Sequence, residues 1–561
     1  MESSVESSWW VLPLTLIPAI SGQQQQHDQS TAAAIATSFV YLAILACLAW
    51  AAKSLLYWAH PGGPAWGRRY WTSPCAKTAP APAPIPGPRG LPVVGSLGLM
   101  SGLAHSTLAA EAARTPGAKR LMALSLGPVP AVVTAHPDVA KEILDNPAFA
   151  DRPVNHAAYG LMFHRSIGFA EHGPYWRALR RVASAHLFAP RQVDAFAPYR
   201  ARVGEDVVAA LRHAGGGVVN VRGVLRRASL YYIMRFVFGK EYDVSSDSGK
   251  KDQGEVEELL EMVHEGYELL GKENWCDYFP GLAGFDPQGV GARCAELMPR
   301  VNRFVHGIID EHRGKAMIAG GEGEAQPLDF VDILLSLQES EGLADADIAA
   351  VLWEMIFRGT DAMAVLMEWT MARLVLHPGV QANVHKELDE VVGKSSHVTE
   401  SAVLSLPYLQ ALLKEALRVH PPGPLLSWRH RAMWDTYVDG HLVPAGTTAM
   451  VNQWAMSRDP EVWAEPLEFR PERFLPGGEA GPGVSVLGSD GRLVPFGSGR
   501  RSCPGKNLAM TTVTAWMATL MHEFEWMPAK TGAPVDMSEV LRLSCEMATP
   551  LQVRVRPRRG V

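Results

Sequence analysis

Phe496-Gly-Ser-Gly-Arg-Arg-Ser-Cys503-Pro-Gly505 places one cysteine in a short glycine-rich loop, and an apolar helical pattern follows at once through Leu508, Met510, Val513, Trp516, Met517 and Leu520. Glycines at 497, 499 and 505 admit left-handed backbone and the close approach that a flat cofactor requires. A cysteine at a helix N-terminus meets unpaired N–H groups and the positive end of the helix dipole, which favour the thiolate, the metal-binding form. The loop therefore predicts Cys503 as a metal ligand in the thiolate state. A cysteine before a helix is more often an inert small hydrophobe. Here five fixed positions, Phe496, Gly499, Arg501, Cys503 and Gly505, fit F-x-x-G-x-R-x-C-x-G, a pattern that flat residue usage would produce only ~0.0002 times in such a chain.

That motif resembles the haem-ligand loop of the cytochrome P450 family. The resemblance implies a mainly α fold with a small β portion, haem b (iron protoporphyrin IX) bound through Cys503, and a monooxygenase activity in which thiolate donation favours O–O cleavage. It also implies partners for the two haem propionates. Trp176-Arg-Ala-Leu-Arg180 matches the family's W-x-x-x-R helix, in which indole N–H and guanidinium reach one propionate. Arg501 in the cysteine loop is a second source of charge. Arg429 is a third, with His430 and Arg431 beside it as alternatives in the register.

Residues 345–376 carry an unbroken apolar pattern that ends at Pro378, which predicts a helix ~48 Å long. Phe357-Arg-Gly359-Thr360-Asp361-Ala362-Met363 lies at its middle. A glycine there costs about 1 kcal/mol against alanine and points to close packing or a local opening. The stretch resembles the family's oxygen-binding groove, A/G-G-x-D/E-T-T/S, and so marks Gly359, Thr360 and Asp361 as catalytic candidates. Arg358, Ala362 and Met363 depart from that pattern. Ala362 removes the hydroxyl that serves proton delivery in most members. Thr360, an ordered water or a substrate hydroxyl would replace it, water being favoured because a buried polar groove can hold one. Asp361 is read as the carboxylate of that proton network.

Pro407-Tyr-Leu-Gln-Ala-Leu-Leu-Lys-Glu415-Ala-Leu-Arg418-Val-His-Pro421 opens on proline and stops before one, giving a helix with sharp limits. Glu415 and Arg418 share a face, where an exposed pair contributes only ~0.2–0.5 kcal/mol. Phe469-Arg-Pro-Glu-Arg473-Phe474 resembles the segment that supplies a third member in the family, so Glu415, Arg418 and Arg473 are expected to form a buried structural triad.

The 561 residues are 47% hydrophobic and 20% charged, with a net charge of −6. No Lys/Arg block suggests a nucleic-acid partner. Six cysteines are widely spread, which fits a reducing compartment rather than a disulfide framework. Between Asp28 and Lys53, 24 residues carry no formal charge, enough to cross a bilayer at roughly 20 residues per span. The shorter apolar run at residues 9–20 lacks a basic leader and contains two prolines, against a signal peptide. Lys53, Arg68, Arg69, Lys77 and Arg89 follow the span, whereas Glu2, Glu6 and Asp28 precede it, so the body is expected on the cytosolic side. The organisation expected is a lumenal segment 1–28, a transmembrane helix 29–52, a basic proline-rich hinge 53–92 and a cytosolic haem domain 93–561, as in endoplasmic-reticulum members of the family.

Helical periodicity covers residues 105–114, 136–145, 174–188, 192–213, 223–239, 254–271, 293–315, 379–392 and 407–419 as well. Alternation marks strands near 120–134, 436–450 and 548–556. Residues 245–254 and 319–326 read as loops. Pocket walls are expected from 155–170, 350–363, 425–428 and 541–547. Their apolar character, with the anchor, favours a lipophilic substrate. The stretches 350–361 and 274–282 resemble a plant subfamily implicated in organ and seed size, which implies a fatty-acid-like substrate or a growth-signal precursor. Electrons would come from a separate NADPH-dependent flavoprotein reductase, because the chain has no convincing dinucleotide fingerprint. Two other readings are a reductase-independent haem-thiolate isomerase or dehydratase and a non-catalytic haem-binding regulator.

Overall fold

Residues 345–376 carry apolar side chains around most of the helix circumference, and a helix of that kind is buried along most of its length. In the computed structural model the helix Asp345–Leu376 has the predicted bounds and is buried along most of its length. The Asp347 carboxylate accepts the Ala344 N–H at its start, and Pro378 opens the next helix, Pro378–Val391. The long helix packs on Val221–Phe238, Pro407–Val419 and Lys506–Glu523. Its closest neighbour explains Gly359: a Cβ there would sit 2.5 Å from Ile233 Cδ1. Close packing, not a break in the helix, is the reason for the glycine.

The structure describes residues 25–561 except 73–82, 214, 243–249, 319–328, 395–396, 488–489, 531, 533 and 559–561. The expected loop 319–326, most of the lumenal segment and the first residues of the proline run 80–92 lie outside that set. Residues 1–56 and 57–561 form two units. The first contributes most of the helix Gln25–Trp58, within which the 22 residues 37–58 are long and apolar enough to cross a bilayer. In the second unit the body is mainly helical. Its largest sheet has four strands: Met122–Leu126 and Val129–Thr134 form a hairpin, Thr448–Val451 adds in parallel, and His430–Arg431 closes the order antiparallel. Val218–Asn220, Gln552–Pro557 and Phe524–Pro528 make a second, antiparallel sheet. The expected loop 245–254 is corrected in part, because the helix Lys250–Gly271 already begins at 250.

Glu415, Arg418 and Arg473 have fully buried side chains. Arg418 donates to Glu415 at 2.7 and 2.8 Å, and Arg473 donates to Glu415 at 3.2 Å. The remaining guanidinium protons go to the carbonyls of Ser457, Pro466, Glu468, Ala464 and Glu465 and to Glu479. Every charge is thereby paired, the condition under which a buried cluster is tolerated.

A second buried pair carries a pH dependence. His312 Nε2 donates to Asp329 and Nδ1 to the Ile308 carbonyl, each at 2.8 Å. Both nitrogens donate only in the imidazolium, so the Asp329 hydrogen bond raises the His312 pKa against the opposing effect of burial. The contribution to stability is fully present below the unfolded value of about 6.5 and is lost as pH rises through the higher folded value. Replacing His312 with glutamine is therefore expected to flatten the decline in Tm on the alkaline side of pH 6.5, measured by calorimetry in a pH series.

Candidate haem-binding active site

The cysteine loop closes on itself through a 2.8 Å hydrogen bond from the Cys503 N–H to the Phe496 carbonyl. Gly497 (φ 66°) and Gly499 (φ 64°) take left-handed backbone. Gly505 does not, at φ −88°; its Cβ would instead lie 3.1 Å from the Phe188 ring. The helix Lys506–Glu523 starts on the next residue.

Cys503, Phe496 and Gly505 line a cavity of about 240 Å³ whose other wall is one face of the long helix: Met355, Arg358, Gly359, Ala362, Met363 and Leu366. Burial pushes the Cys503 thiol pKa up, and Arg358, the Gly505 N–H, Arg180 and Lys506 pull it down less strongly. Desolvation by the protein opposes the thiolate that the helix N-terminus favours, and a bound metal cation is what deprotonates a ligating thiol.

Four arginines line this cavity: Arg152, Arg180, Arg358 and Arg501. Arg501 donates to the carbonyls of Ala150 (2.7 Å), Ile167 (3.3 Å) and Ala170 (2.6 Å). Arg152, which no motif singled out, is buried and donates to the carbonyls of Gly168, Trp428 and Arg429. Arg358 stacks over Trp428 with its guanidinium carbon 4.8 Å from the ring. Among the described residues Arg180 has no hydrogen bond or ion pair, and burial lowers its pKa. A half-buried guanidinium without an acceptor fits an anionic group brought by a ligand. With a cysteine thiol on the same cavity, the donor set fits a haem with its propionates.

Three sequence expectations change here. The Trp176 indole N–H donates to the Ile167 carbonyl at 2.9 Å, and Arg501 stacks 4.1 Å from its ring; Trp176 braces Arg501 and does not line the cavity. Arg429 points elsewhere, paired with Glu273 and the Tyr278 hydroxyl on a separate cavity of about 660 Å³. In that register His430 lines the haem-side cavity, while Arg431 pairs with Asp151 at 2.5 Å. Thr360 and Asp361 are also outside it. Thr360 donates to the Ile356 carbonyl at 2.7 Å, and Asp361 accepts from Arg226 at 2.6 Å. Consecutive helical residues are 100° apart, so Arg358, Gly359, Ala362 and Met363 of this stretch face the cavity and Thr360 and Asp361 do not.

Between the two cavities, Leu426 (φ 62°) and Ser427 (φ 54°) take left-handed backbone, each at a cost of about 1–3 kcal/mol. Ser427 and Trp428 line both cavities. Glu354, missed by sequence reasoning, is fully buried on the haem-side cavity. It accepts the Ile167 and Gly168 N–H groups at 2.7 and 2.8 Å, and burial raises its pKa.

The sequence model of the cytochrome P450 family matches residues 85–549. Cytochrome P450 78A9 of Arabidopsis thaliana is 54% identical over 93% of this chain and 95% of its own length. Cytochrome P450 78A3 of Glycine max is 54% identical over 91% and 94%. A zebrafish cytochrome P450 solved with progesterone superposes with a TM-score of 0.67 at 24% identity, covering 81% of this chain and 99% of that one. A family match over residues 85–549, with two plant relatives of this similarity, means that the chain belongs to the cytochrome P450 family of haem monooxygenases.

Proposed function

We propose that this protein is a membrane-anchored haem-thiolate monooxygenase that hydroxylates a lipophilic small molecule with electrons from a separate NADPH-dependent flavoprotein reductase. One observation carries the reading: Cys503 and the acceptor-free Arg180 line one cavity with the face of the long helix that bears Ala362. Bound there, the haem supplies O₂ activation at a thiolate-ligated iron. Cys503 holds the iron and Arg180 neutralises a propionate, while Arg501 and Arg152 fix the surrounding carbonyls. Met355, Met363, Leu366, Ile233, Phe236 and Val237 give the substrate side an apolar lining, which selects a lipophilic molecule and excludes bulk water. Phe496, Gly499 and Gly505 set the shape of the cysteine loop.

The domain reading follows the same lines: a lumenal segment 1–28, a membrane-crossing helix over 29–52, a hinge 53–92 and a cytosolic body 93–561 at the endoplasmic reticulum. The reductase would dock on the cytosolic face near the cysteine loop. The resemblance of residues 350–361 and 274–282 to a plant subfamily implicated in organ and seed size extends the proposal to a fatty-acid-like substrate or a growth-signal precursor, and to a role in organ or seed growth. Incubation with reductase, NADPH, ¹⁸O₂ and a library of lipophilic acids and alcohols is expected to yield products carrying one ¹⁸O atom. Rearrangement of a lipid hydroperoxide without reductase, and no ¹⁸O product, would favour the isomerase or dehydratase reading instead.

A further inference from the structure

On the face of the long helix that carries Thr360 and Asp361 lies a second chamber of about 20 Å³. A water needs roughly 10–15 Å³ of such space and two to four polar partners. Both are present. Asp361 accepts from Arg226 at 2.6 Å, Arg226 also donates to Glu546 at 2.7 Å, and the Thr360 side chain opens on the same space. His264 lines the chamber with a side chain 43% exposed, which connects it to solvent.

Tyr267 and Ser544 are the two described residues that line both this chamber and the haem-side cavity. Both carry hydroxyls, and the Ser544 side chain lies close enough to Tyr267 to act on its phenol. The Tyr267 ring is held against Phe357, centroids 4.4 Å apart, and is 5% exposed. A pair of hydroxyls thus bridges an apolar partition, with a carboxylate and room for water on one side and the cavity of Cys503 on the other. On the long helix itself nothing performs that bridging, because Ala362 has no hydroxyl, Thr360 donates to Ile356 and Asp361 is held by Arg226.

We propose that Tyr267 and Ser544 are the proton relay of this enzyme, carrying protons from Asp361 and the chamber water into the haem cavity in place of a hydroxyl at position 362. The proposal rests on the monooxygenase reading above. Each hydroxyl releases one proton toward the cavity as it accepts one from its neighbour, so both end neutral. The proton originates in solvent at His264, and the electrons come from the reductase.

The test uses the full-length holoenzyme with reductase, with no substrate and with dodecanoic acid as probe, and reads the fraction of consumed O₂ that is reduced beyond hydrogen peroxide. Tyr267→Phe is expected to cut that fraction about tenfold, and Ser544→Ala to lower it in the same direction. Adding Ala362→Thr to Tyr267→Phe is expected to restore it, a rescue that a merely packing role for the ring would not give. A crystal structure of the holoprotein should place an ordered water between Asp361 and Tyr267. A wild-type fraction in Tyr267→Phe, failure of the rescue, or a dry chamber would overturn the relay. Absence of a thiolate-haem spectrum in the wild-type protein would instead overturn the function on which it rests.

Discussion

Replacing Glu415 with alanine is expected to destabilise the protein by about 3–5 kcal/mol, because two buried guanidiniums lose their shared carboxylate. Arg418 and Arg473 are fully buried, so neither can recover hydration by a small rotation. Arg473 keeps Glu479 as a second partner, whereas Arg418 is left with carbonyls alone. Loss of the Arg470 N–H to Glu415 hydrogen bond, 2.8 Å in the native protein, adds to the effect on the segment that follows. Since whole-protein stabilities run about 5–15 kcal/mol, the variant should accumulate poorly and unfold at markedly lower urea. Glu415→Gln preserves an acceptor and should fall between the two. A Glu415→Ala midpoint within experimental error of wild type would show that the cluster does not hold the core.

Gly499→Ala should cost nearly as much by a different route. Its φ of 64° is left-handed, which penalises an L side chain by about 1–2 kcal/mol. A Cβ would also stand 2.1 Å from the Leu144 carbonyl oxygen, and overpacking of that kind adds about 1–3 kcal/mol. The obstacle is backbone at the end of the helix Pro137–Asp145, so relief requires the cysteine loop to move. Haem content per polypeptide, read from absorbance, is expected to fall severalfold. Gly497→Ala makes the comparison sharp. It has a similar φ of 66°, but the nearest atom to its Cβ is 3.9 Å away, leaving only the backbone penalty and a mild loss. Equal haem content in the two variants would contradict the steric account.

Long elements with a strong period were legible in sequence: the helices Asp345–Leu376 and Pro407–Val419 begin and end where capping residues and prolines place them. Strands such as Val218–Asn220 and Cys545–Met547 were not, since three residues carry no alternation and the first pairs with Gln552–Pro557 at the far end of the chain. At the site, motif spacing located Cys503 but not the direction of charged side chains. Glu273 and Tyr278 draw Arg429 to another cavity. Arg152 and Glu354 are held by backbone groups that no motif encodes. One signal was available and unused: Met355, Gly359, Ala362, Met363 and Leu366 follow the helical period toward one face, which leaves Asp361 on another. Tyr267 and Ser544 meet only because separate elements fold over the same helix face.

Ligation of haem iron by the Cys503 thiolate is read in the carbon-monoxide difference spectrum of the dithionite-reduced protein beside a Cys503→Ala control. A strongly red-shifted Soret band is expected in the wild-type protein and absent from the control. A folded, haem-loaded wild-type protein without that band, or a control that retains it, would rule out Cys503 as the thiolate ligand.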